Sequence, residues 1–137
     1  MRILFDTNVV LDVLLARAPH AAAAAALFTR VERGELQGVL CATTVTTIHY
    51  LAAKAVGRDL AARHVVTLLD LFDVASVTRA VLTTALDAGF ADYEDAVLHE
   101  AAVHAGATGI VTRNLRDFER ATLPIYGPSE LLQVLNA

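Results

Sequence analysis

The chain has 137 residues, 55% of them hydrophobic and 19% charged, which fits one domain over residues 1–137 whose folding can bury about 70% of the surface of the extended chain without disulfides or a structural metal. Cys41 has no cysteine partner and fits a reducing cytoplasm. The net charge of −4 excludes a global basic field for nucleic acid, and Lys54 as the sole lysine excludes a P-loop.

The amino end is apolar only from Ile3 to Phe5 before Asp6, too short for a signal peptide, so secretion is not expected. That run reads as a strand, and Thr7-Asn8 can cap a helix carrying Val9 to Leu15. Pro19 suits the first turn of a second helix, whose alanines run from Ala21 to Ala26 and which Gly34 stops. Val39-Leu40-Cys41 reads as a second strand, followed by a helix that begins among Thr43, Thr44, Thr46 and Thr47 and ends at Gly57. The stretch Leu36–Ala53 has no charge, yet those threonines with Gln37, Gly38 and His49 make it a poor membrane span.

Leu60–Phe72 is a further amphipathic helix, Asp73-Val74-Ala75 a third strand, and Thr78–Ala88 another helix before Gly89. Asp92 can cap the next helix, with Glu94 and Asp95 in the first turn where the helix dipole favours negative charge. That helix runs to Ala105. Gly109-Ile110-Val111 is the fourth strand, Leu123-Pro124-Ile125 an edge strand, and Ser129–Leu135 the last helix. Short β-branched strands alternating with helices imply an α/β fold with a mainly parallel sheet of four or five strands covered on both faces. Ligands of such sheets bind beyond the carboxyl ends of the strands, which points to Asp6, the Thr43–Thr47 segment and Thr112–Asp117, with Asp92–Asp95 beside them.

Each of these has a plain structural use: Asp6 as a helix cap, Glu94 as a partner for the helix dipole, Asn114 and Asp117 as turn formers. Together they say more. Two carboxylates about 5 Å apart repel by about 3 kcal/mol at an effective dielectric of 20, so convergent acids call for a cation. All-oxygen ligands select Mg2+ or Mn2+, and such an ion holding phosphate oxygens and a water is apparatus for phosphodiester hydrolysis.

The sequence resembles the PIN-domain ribonucleases, particularly VapC-type toxins of bacterial toxin–antitoxin pairs, over nearly its whole length. The resemblance rests on Leu4-Phe5-Asp6-Thr7-Asn8-Val9-Val10-Leu11-Asp12, on Asp95-Ala96 opening a helix with Ala101-Ala102 further along, and on Ile110-Val111-Thr112-Arg113-Asn114 leading to Asp117-Phe118. It implies a three-layer α/β/α fold and a metal-dependent endoribonuclease, with Asp6 and Asp95 as metal ligands and Asn114 at the place of a late acid. The family's glutamate on the helix after the second strand falls at Thr47, or at Thr46 one register away, so Asp92 and Asp117 stand as substitute acids. The resemblance also implies an RNA substrate, an antitoxin partner, a homodimer and no membrane. The alternative is a PIN-like domain that binds RNA or a protein without cutting. Arg113, Arg116 and Arg120 follow the fourth strand, where guanidinium forks suit phosphate, or a solvated surface.

Other readings lose on named residues. His99 and His104 are five apart, about 140° around a helix, where a zinc-protease motif needs four. His99 is four after Asp95, but packing or capping is its ordinary use. A haloacid-dehalogenase-like site needs an acid where Asn8 stands, and a receiver domain needs a late lysine that is missing.

Overall fold

The computed structural model describes residues 1–137. Five parallel strands, β1 (Arg2–Phe5), β2 (Gln37–Cys41), β3 (Asp73–Ala75), β4 (Gly109–Val111) and β5 (Ile125–Tyr126), form one sheet in the order β3-β2-β1-β4-β5. Seven helices accompany them: α1 (Thr7–Leu14), α2 (Ala21–Glu32), α3 (Ala42–Val56), α4 (Arg58–Leu71), α5 (Arg79–Leu86), α6 (Tyr93–His104) and α7 (Pro128–Asn136). No helix is long and apolar enough to cross a membrane.

The strands alternate with period two, which fixes the layers. Ile3 and Phe5 face one side, with Leu40 and Val111, against Val9, Leu27, Ile48, Leu68 and Leu131 from the helices. Leu4 faces the other, with Val39, Cys41 and Ile110, against Val81 and Ala85 of α5 and Ala101 and Ala102 of α6. This is the three-layer α/β/α arrangement expected. On the first face Phe5, Phe28 and Phe72 form a ring of edge-to-face contacts with centroids 5.1–5.9 Å apart.

Gly38 of β2 lies under that ring: a Cβ there would stand 2.5 Å from Phe72 and 3.2 Å from Val31. Because Phe72 is wedged between two other phenyl groups, it cannot swing aside. Gly38→Ala is expected to cost about 1–3 kcal/mol, the usual range for overpacking, read as a lower urea midpoint with unchanged slope; an unaltered midpoint would show that the aromatic cluster yields.

Several boundaries differ from the sequence reading. Pro19 precedes α2 within a turn closed by the Ala21 N–H on the Arg17 carbonyl (2.9 Å), so the helix starts at Ala21. The edge strand is Ile125–Tyr126: the Ile110 N–H donates to the Pro124 carbonyl at 3.0 Å, and the next residues pair with β4. A 3-10 turn over Leu115–Phe118, buried through Phe118, was not anticipated.

The chain steps outward from β1 to β2 and β3, then returns across the sheet to β4 on the other flank of β1. The carboxyl ends of β1 and β4 therefore border the crevice where strand order reverses, the usual binding place in open α/β sheets.

Candidate functional site

Asp6 is the residue immediately after β1 and caps α1. Its backbone N–H continues the β1–β4 ladder to the Val111 carbonyl at 3.0 Å. One carboxylate oxygen accepts from the Thr7 N–H at 2.7 Å, and the other accepts from the Thr112 hydroxyl at 2.7 Å. Thr112, fully buried just after β4, in turn accepts from the Asn114 N–H at 3.0 Å. The strand-end segments are thus joined across the crevice by one carboxylate and one hydroxyl. The Thr7 hydroxyl reaches the Thr44 hydroxyl of α3 at 3.1 Å and ties a third element to the same edge.

The second carboxylate comes from α6. Asp92 is its N-cap and accepts from the Asp95 N–H at 3.0 Å, which places Asp95 one turn into the helix. Burial pushes the Asp95 carboxyl up to about 7, and the charges of Asp6, Asp92, Asp117 and Glu94 push the same way. Asp6 is raised too, by burial first, with the bonds from Thr112 and Thr7 pulling it back and Asp117 and Glu94 adding repulsion. Asp95 thus feels Asp6, Asp92, Asp117 and Glu94, and Asp6 feels Asp117 and Glu94.

The remaining predicted residues divide. Asn114 is exposed on the same loop, tied there by its backbone N–H. Arg113, expected to meet phosphate, instead turns its guanidinium to Asp12, with Nε 2.6 Å from one carboxylate oxygen and Nη2 3.3 Å from the other. Arg116 is exposed and, with Arg120, Phe90 and Asp117, lines a cavity of about 370 Å3 on one flank of the acids. Thr46 and Thr47 line a second cavity, about 250 Å3, together with Glu94 on the other flank. Both threonine hydroxyls donate to the Thr43 carbonyl at 3.0 Å, so neither brings a charge to the place of the missing glutamate. His99 is buried and accepts from the Thr122 N–H at 3.0 Å while packing on Phe90, which makes it a tether for the segment before β5.

Asp12 ends the opening motif. It sits wholly buried on α1 between Arg113 and Arg17, whose Nε is 2.9 Å away. The signal was an aspartate inside the apolar run Val9–Leu15: a carboxylate in such a stripe needs a cation.

No three Asp, Glu, His or Cys side chains are placed together to hold a metal ion. That donor set does not suit a dehydrated structural metal. Two carboxylates fit instead a hydrated divalent cation, held by one or two such groups plus substrate phosphates.

The PIN domain family profile matches residues 2–116. No curated protein sequence gives a match. Among solved structures, VapBC2 from Rickettsia felis, bound to a DNA fragment from its promoter, is similar at 14% identity over 93% of this chain and 98% of that one, TM-score 0.68. A toxin–antitoxin complex from Klebsiella pneumoniae is similar at 22% identity over 92% and 97%, TM-score 0.67. VapC20 from Mycobacterium tuberculosis, a Sarcin-Ricin loop cleaving toxin, is similar at 14% identity over 79% and 86%, TM-score 0.63.

Proposed function

The chain belongs to the PIN domain family, and we propose that it is a divalent-cation-dependent endoribonuclease, the toxin of a toxin–antitoxin pair. The observation that carries this reading is the pairing of Asp6 and Asp95 at the strand-order crevice, with both carboxyls raised by burial and by neighbouring acids. A site so arranged favours a proton or a cation, and beside arginine-lined space it favours a cation that shares phosphate oxygens. The descriptions of the similar structures as toxins and toxin–antitoxin complexes support the same class.

Asp6 and Asp95 would hold Mg2+ or Mn2+, whose chemistry is to neutralise the scissile phosphate and lower the pKa of a water. Thr112 and the Thr7 N–H fix both oxygens of Asp6, so its position is set before any ligand arrives. Asp117 and Asp92 deepen the negative potential that draws the ion. Arg116 and Arg120 can take the phosphates that flank the reacting one, as guanidinium forks do. Asn114, exposed on the loop tied to Thr112, is placed to hydrogen-bond a water or the substrate and brings no charge. That neutrality, with Thr47 in place of an acid, favours the second reading, a domain that binds RNA or a protein partner without cutting.

Incubating the purified protein with labelled structured RNAs and Mg2+ or Mn2+ separates the two. Cleavage that EDTA stops and that Asp6→Asn lowers at least about 100-fold is expected, the scale of losing one electrostatic stabiliser in an active site. RNA binding with no cleavage in either metal would establish the second reading. We further propose a cytoplasmic homodimer bound by an antitoxin. Of the alanines of α2, Ala24 enters the core while Ala22 and Ala25 remain exposed and permit close helix approach. A strict monomer in sedimentation at micromolar concentration would remove the dimer alone.

A further inference from the structure

Resting on the ribonuclease reading, we infer that the groove between α3 and the start of α6 is a pocket for one unpaired guanine next to the scissile phosphate, with Tyr93 as its stacking wall and Glu94 as its reader. Two cavities flank the acids. Asp117 lines the one with Arg116 and Arg120, and Glu94 lines the other with Thr46, Thr47, Tyr93 and Val97. Glu94 directly precedes Asp95 at the start of α6 and Asp117 lies in the 3-10 turn after β4, so each cavity has a wall on one of the two elements that carry the acids. The second cavity contains no cationic side chain for a phosphate and is walled by an aromatic ring, which fits a base rather than the backbone.

The ring is placed and held. Tyr93 is 45% exposed, and its hydroxyl donates to the Leu82 carbonyl at 2.9 Å. Being pinned across to α5, it presents a face without first losing rotamer freedom, and an aromatic face stacks on any base. Tyr93 and Leu82 also border a further cavity of about 360 Å3 toward Arg79, leaving room for the next nucleotide.

The choice of base follows from hydrogen-bond accounting. Thr46 and Thr47 spend their hydroxyl protons on the Thr43 carbonyl, so what remains on them is lone pairs, and the Thr43 hydroxyl is paired with Cys41 Sγ at 3.2 Å. Glu94 is a carboxylate and accepts only. A cavity whose one charged group only accepts favours a base that presents donors. Guanine presents N1–H and N2–H side by side, a fork that matches a carboxylate. Cytosine and adenine pair one amino group with an adjacent acceptor, and uracil sets its single N3–H between two carbonyls. Unpaired bases are read on this Watson–Crick edge.

The test is fluorescence anisotropy of labelled hexanucleotides bound to the full chain in EDTA, where nothing is cut and acid repulsion of the backbone is common to all. The oligomers are oligouridines carrying one central guanine, inosine or no substitution. Guanine is expected to bind about tenfold more tightly than uridine, the scale of one good bidentate base contact, with inosine, which lacks the N2 amino group, between them. Tyr93→Ala should weaken all three about fivefold or more with the order kept. Glu94→Gln should abolish the guanine preference while leaving the uridine oligomer unweakened. If Tyr93→Ala fails to fold, Tyr93→Leu keeps apolar bulk and removes the stack. Equal binding of the three oligomers by the wild type, or a guanine preference that survives Glu94→Gln, overturns this inference alone. A folded wild type that binds none of them also overturns this inference, and it overturns the ribonuclease reading with it only where the same protein fails to cleave structured RNA with Mg2+ or Mn2+.

Discussion

Replacing Asp12 with alanine is expected to lower the unfolding free energy by about 3–5 kcal/mol, the cost of breaking a buried ion pair by removing one partner. The carboxylate is inaccessible to solvent and accepts from Arg17 at 2.9 Å and from Arg113 at 2.6 and 3.3 Å. The arginine side chains keep 39% and 27% of their exposure, so the freed cations can turn toward water, and the loss should fall near the lower end. Arg113→Met should cost more than Arg17→Met, because Arg113 makes both a short and a second contact and anchors the loop after β4 to α1. Urea unfolding of the three variants checks the ranking. A loss below about 1 kcal/mol for Asp12→Ala would mean that the pair only just offsets its own desolvation.

This network also marks where sequence reading stopped. The apolar run Ile3-Leu4-Phe5, the cap at Asp92 and the stop at Gly57, which adopts φ +92°, are local signals, and the structure uses each as read. The family motif singled out Asp6 and Asp95, which sit at element starts, where strand and helix boundaries fix direction. What stayed illegible depends on partners distant in the chain. Arg113 looked like a phosphate contact because its neighbours form an exposed loop, but its partner Asp12 is 101 residues away. His99 likewise finds Thr122 only through the packing of α6 beside β4. The 3-10 turn that brings Asp117 to the acids has no periodicity to reveal it, since four residues do not complete a pattern.

If the chain is the nuclease proposed, Asp95→Asn is expected to do two opposite things, to lose cleavage by about 100-fold or more and to stabilise the protein when no divalent cation is present. The physical source is shared. In the folded chain the Asp95 carboxyl is raised to about 7, burial leading and the charges of Asp6, Asp92, Asp117 and Glu94 following, whereas in the unfolded chain it titrates near its ordinary value of 3.8. Below about pH 4 it is protonated in both states and costs nothing. As pH rises toward 7 the unfolded state ionises first, so the group withdraws stability across that window, and above it the deficit is constant. The neutral amide has no such deficit. The difference in stability between variant and wild type should therefore be near zero at pH 4 and fully grown by pH 8. Because Asp95 is half-exposed, solvent screening trims the gain to about 1 kcal/mol, a rise of about 4 °C in Tm. Magnesium should reverse the ranking: an ion at a hundredfold excess over its Kd stabilises the wild type by about 2.7 kcal/mol and the variant far less, since one of its two carboxylates is gone. Melting curves of both proteins at pH 4 and pH 8, with EDTA and with Mg2+, measure every term. A variant that is less stable than wild type in EDTA at pH 8, or that gains as much from Mg2+, would show that Asp95 is held by partners other than the acids around it and takes no part in binding the ion.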